Sequence, residues 1–266
     1  MDARPIGVFD SGFGGLTVVS EIKRQLPGER IIYFGDTAHL PYGSKSKEVV
    51  TGYSLRIAEF LAQKGVKLIV IACNTASSYA LAELKGRFSL PLVDVVMPGA
   101  RAAAGITGVK RVGVIGTMAT IKSKAYETAI NEINPEIKIS AMACPMFVPL
   151  VEEGWVDGQV ALLVAKEYLS PLKKDRIETL ILGCTHYPFL KKIITRVMGL
   201  EVVLVDSAEE TAKDVNRVLS EKALLAGAGA QPGRHRYFVS DDPEKFSVLG
   251  RKFLGQDIGV VEKADI

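Results

Sequence analysis

The chain has few cysteines, and their number and spacing argue against two classes of protein. Only three of its 266 residues are cysteine, at positions 73, 144 and 184. Disulfide-stapled secreted domains carry even numbers of closely spaced cysteines, so this chain fits a reducing compartment better. It also lacks a Cys-x-x-Cys pair, which argues against a structural zinc site and leaves no predicted metal site.

The sequence also lacks an excess of charge and any long apolar run. Lys and Arg total 33 and Asp and Glu total 30, a balance of +3 that is too slight to indicate a nucleic-acid or membrane partner. A small anionic substrate is compatible with it. No apolar run approaches the roughly 18 residues of a membrane span, and the N-terminus lacks the apolar segment of a signal peptide. We therefore expect a cytoplasmic protein.

A glycine-rich turn near the N-terminus lacks both common nucleotide-binding fingerprints. Asp10-Ser-Gly-Phe-Gly-Gly15 follows a short apolar strand and precedes a helical pattern that begins at Leu16. It has neither the third glycine of the dinucleotide motif nor the Gly-Lys-Ser/Thr ending of a Walker A loop. Its amides could bind an anion, but from the turn alone a tight turn with Asp10 as a helix cap is the simpler interpretation.

Two apolar runs of strand length end in a cysteine followed by hydrogen-bonding side chains. Cys73 is followed by Asn74 and Thr75, and Cys184 by Thr185 and His186. Ligands of open α/β sheets bind beyond the carboxyl ends of the strands, so both thiols are predicted to lie at a ligand site. A lone buried cysteine is usually inert, and Cys144, which has no such polar neighbours, is interpreted as structural.

The two cysteine runs belong to a longer internal similarity. Segment 6–11 resembles segment 112–117, and the cysteine runs repeat in the same order at a similar separation. This pattern predicts a duplicated α/β unit, with domains at 1–97 plus 207–266 and at 98–206. Short strands at 236–239 and 259–261 are predicted to return to the first domain. Residues 226–233 are predicted to form a surface loop, and His235, between two arginines, to face solvent.

The loop after the second strand is rich in hydrogen-bonding groups. Pro41 and Gly43 constrain the backbone around Tyr42, which would hold the phenol and nearby amides at a site. A plain surface connection before the next helix is an equally good interpretation of this loop.

The cysteine pair leaves two kinds of chemistry open. Cys184 with His186 as its base would be a nucleophile, although residues two apart seldom meet productively on such a turn. Two thiols could instead remove a proton from one face of a carbon and return one to the other face. Asp10 and His186 could assist such transfers.

Four motifs together resemble the bacterial glutamate racemases, within the cofactor-independent aspartate/glutamate racemase superfamily. They are Asp10-Ser-Gly-x-Gly-Gly, Pro41-Tyr-Gly-Ser44, Cys73-Asn-Thr75 and Gly183-Cys-Thr-His-Tyr-Pro188. The resemblance implies two pseudo-symmetric parallel-sheet α/β domains with the active site in the cleft between them. It implies an isomerase that interconverts L- and D-glutamate for peptidoglycan synthesis without pyridoxal phosphate or metal. The expected assembly is a homodimer.

The resemblance also implies roles for individual residues. Cys73 would take the α-proton from D-glutamate and Cys184 from L-glutamate, while Asp10 and His186 assist. The implied substrate-binding residues are Ser11, Tyr42, Gly43, Asn74, Thr75 and Thr185, with Pro41, Ser44, Thr117, Thr120 and the more distant acid Glu152 in supporting positions. Two alternatives stay open: a related enzyme acting on aspartate, a hydantoin or maleate, and a non-catalytic binding protein of two α/β lobes.

Overall fold

The computed structural model describes residues 1–106, 108–227, 233–255 and 258–266. These residues form two compact units, which comprise 1–95 with 208–266 and 96–207. Most of the predicted surface loop at 226–233 lies outside the described residues. No helix in the described ranges is both long and apolar enough to cross a membrane.

The first unit is built on a parallel sheet. Its described strands lie in the order β10-β9-β2-β1-β3-β4, and every neighbouring pair is parallel. The four central strands are almost wholly apolar, which is typical of strands covered on both faces. The strands are β1 (Ile6–Asp10), β2 (Ile31–Gly35), β3 (Leu68–Ile71), β4 (Leu92–Asp94), β9 (Arg236–Val239) and β10 (Val261–Lys263).

Helices cover both faces of this sheet because successive side chains of a strand point in opposite directions. Val8 belongs to the core that includes α1, α10 and α11, whereas the adjacent Phe9 belongs to the core that includes α2 and α3. Ser46, a serine directly before a helical pattern, caps α2: its Oγ accepts the Val49 amide at 3.4 Å. The helices are α1 (Leu16–Gln25), α2 (Lys47–Gln63), α3 (Asn74–Arg87), α10 (Ser207–Glu221) and α11 (Pro243–Leu254).

The second unit is built on a smaller parallel sheet. Its described strands lie in the order β6-β5-β7-β8, and β5 and β7 supply its central, buried positions. The strands are β5 (Arg111–Gly116), β6 (Lys138–Ala143), β7 (Thr179–Gly183) and β8 (Val203–Asp206). The helices are α4 (Val96–Ala104), α5 (Met118–Ser123), α6 (Ala125–Ile133), α7 (Phe147–Glu152), α8 (Gln159–Lys174) and α9 (Lys191–Met198).

The two sheets share one strand order. In the first unit β2-β1-β3-β4 are neighbours, and in the second β6-β5-β7-β8 follow the same sequence of crossovers. β1 therefore corresponds to β5, and β3, which precedes Cys73, corresponds to β7, which precedes Cys184. The predicted α/β class with two parallel-sheet units is confirmed.

Two predictions about the C-terminal segment are corrected. The short strand predicted at 259–261 is observed two residues later, as β10 (Val261–Lys263). His235 is half-buried rather than solvent-facing, because its Nδ1 accepts the Ile31 amide at 3.2 Å where β9 joins β2. Burial lowers the pKa of this imidazole below its ordinary value, with a smaller contribution from the charge of Lys23. A neutral ring accepting a backbone hydrogen bond replaces the predicted surface charge.

Candidate active site

The thiol of the first unit lies at the start of a long helix. Cys73 is 6% exposed and is the N-cap of α3, where its Sγ accepts the Ala76 amide at 3.5 Å. A helix N-terminus carries a partial positive charge that stabilises a nearby anion, including a thiolate. Asn74 and Thr75 are buried in the first turn of this helix. The strand end thus combines a sulfur that can hold negative charge with two buried hydrogen-bonding side chains.

Asp10 is built into the glycine-rich turn beside this thiol. Its carboxylate is fully buried, and Oδ2 accepts the amides of Gly12 and Gly15 at 3.1 Å each. It therefore binds the turn itself, and the predicted cap of α1 by Asp10 is corrected: the N-cap is Gly15, without a side-chain hydrogen bond. A Cβ at Gly15 would lie 2.5 Å from the Asp10 Cβ, so only glycine permits this close approach.

The turn also brings Ser11 to the thiol. Ser11 Oγ lies 3.7 Å from Cys73 Sγ. The carbonyl of Gly12 accepts a hydrogen bond from the buried Tyr33 hydroxyl at 2.6 Å, and this bond holds the backbone of the turn against β2. Burial raises the pKa of Tyr33, so this phenol stays a donor. The structure thus places Asp10, Ser11 and Cys73 together.

The Tyr42 phenol has a partner within the protein. Tyr42 is 1% exposed, and its hydroxyl donates to Asp36 Oδ2 at 2.5 Å. Burial, and then the charge of Asp36, raises the pKa of Tyr42, which keeps the proton on the phenol. The sequence predicted that the phenol and the nearby amides lie at a site. In the structure the phenol is hydrogen-bonded to Asp36. A short 3-10 turn, Tyr42–Ser44, follows Pro41 in this loop, and the first amides of such a turn have no partner within it.

The thiol of the second unit lies beside a histidine and a glutamate. Cys184 Sγ is 3.8 Å from His186 Nδ1, and Thr185 Oγ1 is 3.5 Å from the same nitrogen. On the other side of the ring, His186 Nε2 is 3.3 Å from Glu152 Oε1. Cys184 and His186 are both buried. The sulfur, the imidazole and the carboxylate together can move or stabilise a proton at Cys184.

Thr117 and Thr120 follow β5, the strand that pairs with β7, after which Cys184 lies. Thr117 caps α5, where its Oγ1 accepts the Thr120 amide at 3.2 Å and lies 3.0 Å from the Thr120 Oγ1. Gly116 pairs with Gly183 across the β5–β7 ladder. Because Thr117 and Cys184 each follow one of these paired glycines, both lie at the same edge of the sheet.

Cys144 differs from the other two cysteines. Its backbone carbonyl accepts the Tyr187 hydroxyl at 2.8 Å, and its side chain is fully buried. Burial, with a smaller effect of nearby Cys184, raises the pKa of this thiol well above its ordinary range. Cys144 therefore stays a neutral thiol, in agreement with its interpretation as structural.

Asp36 and Ser240 belong to the same network but were not predicted as site residues. Asp36 is fully buried and its amide donates to the Asp10 carbonyl at 3.0 Å, which ties the Tyr42 loop to the glycine-rich turn. Ser240 Oγ donates to Asp36 Oδ1 at 2.7 Å. A signal for Asp36 exists in the sequence, since it is a carboxylate directly after a buried parallel strand. Among the described residues no cluster of three or more His, Cys, Asp and Glu could hold a metal ion.

Comparison with known proteins identifies the family. The model of the Asp/Glu/hydantoin racemase family matches residues 6–215, which is most of the chain. The chain belongs to the Asp/Glu/hydantoin racemase family. Membership places the protein among the isomerases and confirms the family predicted from the four motifs.

Relatives within the family cover the whole chain. A glutamate racemase of Geobacter metallireducens is 54% identical over 266 residues, which are 100% of this chain and 98% of the relative. A glutamate racemase isoform of Bacillus anthracis has a TM-score of 0.96 at 42% identity and covers 100% of this chain and 99% of its own. The glutamate racemase of Francisella tularensis, solved with D-glutamate, has a TM-score of 0.93 at 41% identity, with 100% and 98% coverage.

Proposed function

We propose that this racemase interconverts L- and D-glutamate through two cysteines that act as opposed proton carriers. The observation that carries the proposal is the repeated strand end: a buried thiol follows the corresponding strand in both units, beside buried hydrogen-bonding side chains. The glutamate racemases that match the full chain, one of them solved with D-glutamate, support glutamate as the substrate.

The proton transfers balance as follows. From D-glutamate, the Cys73 thiolate takes the α-proton and becomes a thiol, while the Cys184 thiol gives its proton to the opposite face of the same carbon. The product is L-glutamate, and the two sulfurs have exchanged protonation states. From L-glutamate, Cys184 acts first as the base and Cys73 as the acid. No oxidant, reductant or metal enters this balance.

Neighbouring groups support each thiol in its turn as base. At Cys73 the helix N-terminus stabilises the thiolate, and Asp10 lies one residue from Ser11, which approaches the sulfur. At Cys184 the imidazole of His186, oriented by Glu152, is the assisting group. The assisting group thus differs between the two units: it is the carboxylate of Asp10 for Cys73 and the imidazole of His186 for Cys184.

Removal of the α-proton places negative charge on the adjacent carboxylate, so donors aimed at that carboxylate stabilise the transition state. We assign the stabilisation of the transition state to the side chains of Ser11, Asn74 and Thr75, and to the amides of Tyr42 and Gly43 the task of holding the carboxylate alike before and during proton transfer. Thr185 belongs to the same group in the second unit. Thr117 and Thr120, held together at the same edge as Cys184, are proposed to bind the side-chain carboxylate. Pro41 and Ser44 shape the loop.

Circular dichroism tests the reaction and the substrate together. Purified protein with a chelator and no added cofactor is expected to bring the ellipticity of L-glutamate to zero, and D-glutamate should reach the same end point. L-aspartate and a chiral hydantoin are the comparison substrates in the same assay, and maleate, which is achiral like its isomer fumarate, is followed by its NMR spectrum instead. If one of them is converted faster than glutamate, that compound and not glutamate is the substrate. No conversion of any of them would refute the racemase proposal and favour a binding protein.

The biological setting is part of the same proposal. D-glutamate from this reaction would supply peptidoglycan synthesis, and three free, buried cysteines in the described chain fit a reducing compartment such as the cytoplasm. A homodimer also stays a prediction. Light scattering of the purified protein should give twice the mass of the 28.7 kDa chain, and the mass of one chain would contradict it.

A further inference from the structure

A turn in the C-terminal part of the chain holds the loop that carries Tyr42 and Gly43. Ser240 directly follows β9, and its Oγ donates to Asp36 Oδ1 at 2.7 Å. Ser240 Oγ also accepts a hydrogen bond from the Ala38 amide at 2.9 Å. One hydroxyl therefore fixes both the carboxylate and the backbone of the loop, across a separation of about two hundred residues in sequence.

A second pair of hydrogen bonds joins the same two segments. Thr37 Oγ1 donates to the Asp241 carbonyl at 2.5 Å and accepts the Asp241 amide at 2.9 Å. We call Ser240 and Asp241, with their bonds to residues 36–38, the C-terminal clamp. The clamp is anchored by the sheet, because the Ser240 amide donates to the Gly35 carbonyl at 3.2 Å, where β9 runs beside β2.

Asp36 transmits the position of the clamp to Tyr42. Its buried carboxylate accepts the Tyr42 hydroxyl at 2.5 Å and Ser240 at 2.7 Å, and it lies 2.7 Å from His39 Nδ1. These partners approach from different elements, so together they fix the orientation of the carboxylate. The side chain of Tyr42 is 1% exposed, so the surrounding residues restrict its position. Loss of the Ser240 bond would free the carboxylate to rotate and would move Tyr42 and the amides beside it.

We propose that Ser240 is a positioning residue for the substrate loop 36–44, acting through Asp36 and Ala38 on the amides of Tyr42 and Gly43. The inference rests on the proposed function, in which those amides bind the glutamate carboxylate. An amide that holds the carboxylate alike before and during proton transfer lowers KM with little effect on kcat. A displaced loop should therefore weaken substrate binding more than it slows turnover.

The first test compares Ser240→Ala with two matched variants. Ser240→Ala should raise KM for both enantiomers about tenfold, the effect of one lost hydrogen bond to a charged group, while kcat stays within about twofold. Ser240→Thr keeps the hydroxyl and should restore KM. Ser247→Ala removes a hydroxyl of the same unit that bonds only within α11, to the Pro243 carbonyl at 2.9 Å, and should leave both constants unchanged. A wild-type KM in Ser240→Ala, or a loss confined to kcat, would overturn the proposal.

The second test does not depend on glutamate. Hydrogen exchange of the peptide that contains Ala38 should be faster in Ser240→Ala than in the wild type, whereas peptides of α3 should exchange alike. Thr37→Val, which removes the other pair of bonds with little change of shape, should have the same effect and serves if Ser240→Ala fails to fold. Unchanged exchange would refute the clamp even if the wild type racemises glutamate. Faster exchange in a protein without racemase activity would support the clamp and refute the proposed function alone.

Discussion

Replacing Cys73 or Cys184 with alanine should abolish racemisation of glutamate in both directions. Each direction requires one sulfur as base and the other as acid, so loss of either stops both. The expected loss exceeds the ~10²–10⁴-fold contribution of an ordinary acid or base, because each variant loses the group that takes the α-proton in one direction and returns a proton in the other. Circular dichroism of L- and of D-glutamate measures the loss directly. Near wild-type turnover in either variant would refute the two-thiol mechanism.

Cys144→Ala is the matched control for these variants. It removes the same group from a buried position, but burial keeps Cys144 a neutral thiol by raising its pKa, and its Sγ contacts the Met142 carbonyl rather than a helix amide or an imidazole. Its kcat and KM should therefore stay close to those of the wild type at a temperature where the variant is folded. An inactive but folded Cys144→Ala would mean that thiol loss as such, rather than loss of a proton carrier, explains the first result.

Deuterium exchange assigns each thiol to one enantiomer. In D2O the Cys184→Ala variant keeps Cys73 and should exchange the α-proton of D-glutamate without forming L-glutamate. Cys73→Ala should exchange the α-proton of L-glutamate alone. The signal of the α-proton in the NMR spectrum reports both reactions. Equal exchange of the two enantiomers by one variant would contradict the assignment of faces.

The sequence predicts features that depend on neighbouring residues. β9 was predicted at its observed bounds, and the Ser46 cap follows from a serine before a helical pattern. The parallel sheets follow from short apolar runs that alternate with helical patterns, and the family follows from motifs that are each contiguous. Each of these signals lies within a short stretch of the chain, which is why the sequence alone reveals it.

Contacts between distant segments could not be predicted in the same way. One hydrogen bond joins the Ser240 hydroxyl to the Asp36 carboxylate. Nothing in the sequence around either residue indicates the other, since any pair of polar residues at strand ends looks alike. His235 stands between two arginines, and only the pairing of β9 with β2 reveals that its ring accepts a backbone amide. Tyr42 was a good site candidate by position, yet the direction of its hydroxyl depends on Asp36, which the loop pattern does not determine.

Removing the amino group of Lys67 should cost the most stability of any side-chain truncation outside the two apolar cores of the first unit. Lys67 and Glu29 are almost fully buried, and Nζ lies 2.6 Å from Glu29 Oε2. Nζ also donates to the carbonyls of Asp2 at 2.8 Å and Leu224 at 2.7 Å. In Lys67→Met the carboxylate of Glu29 would remain buried without its counter-charge, a situation that costs about 3–5 kcal/mol.

The cluster joins segments that are distant in sequence. The second oxygen of Glu29 accepts the Ala226 amide at 2.8 Å, so the N-terminus, the turn after α1, the start of β3 and the chain after α10 meet at one buried ion pair. Lys67 precedes β3 whereas Cys73 follows it, so the pair lies at the opposite edge of the sheet from the thiol. Lys67→Met should therefore shift the urea midpoint of unfolding strongly while kcat and KM of the folded enzyme stay unchanged.

Two further variants separate the buried charge from the lost contacts. Lys67→Met combined with Glu29→Gln leaves no buried charge and should recover a measurable part of the lost free energy of unfolding. Lys213→Met, which removes an exposed partner of Glu210, should cost only about 0–1 kcal/mol. If Lys67→Met unfolds no more easily than Lys213→Met, the ion pair does not stabilise the first unit. If the double variant is no more stable than Lys67→Met, the unpaired carboxylate is not the cause, and the lost hydrogen bonds to Asp2 and Leu224 are.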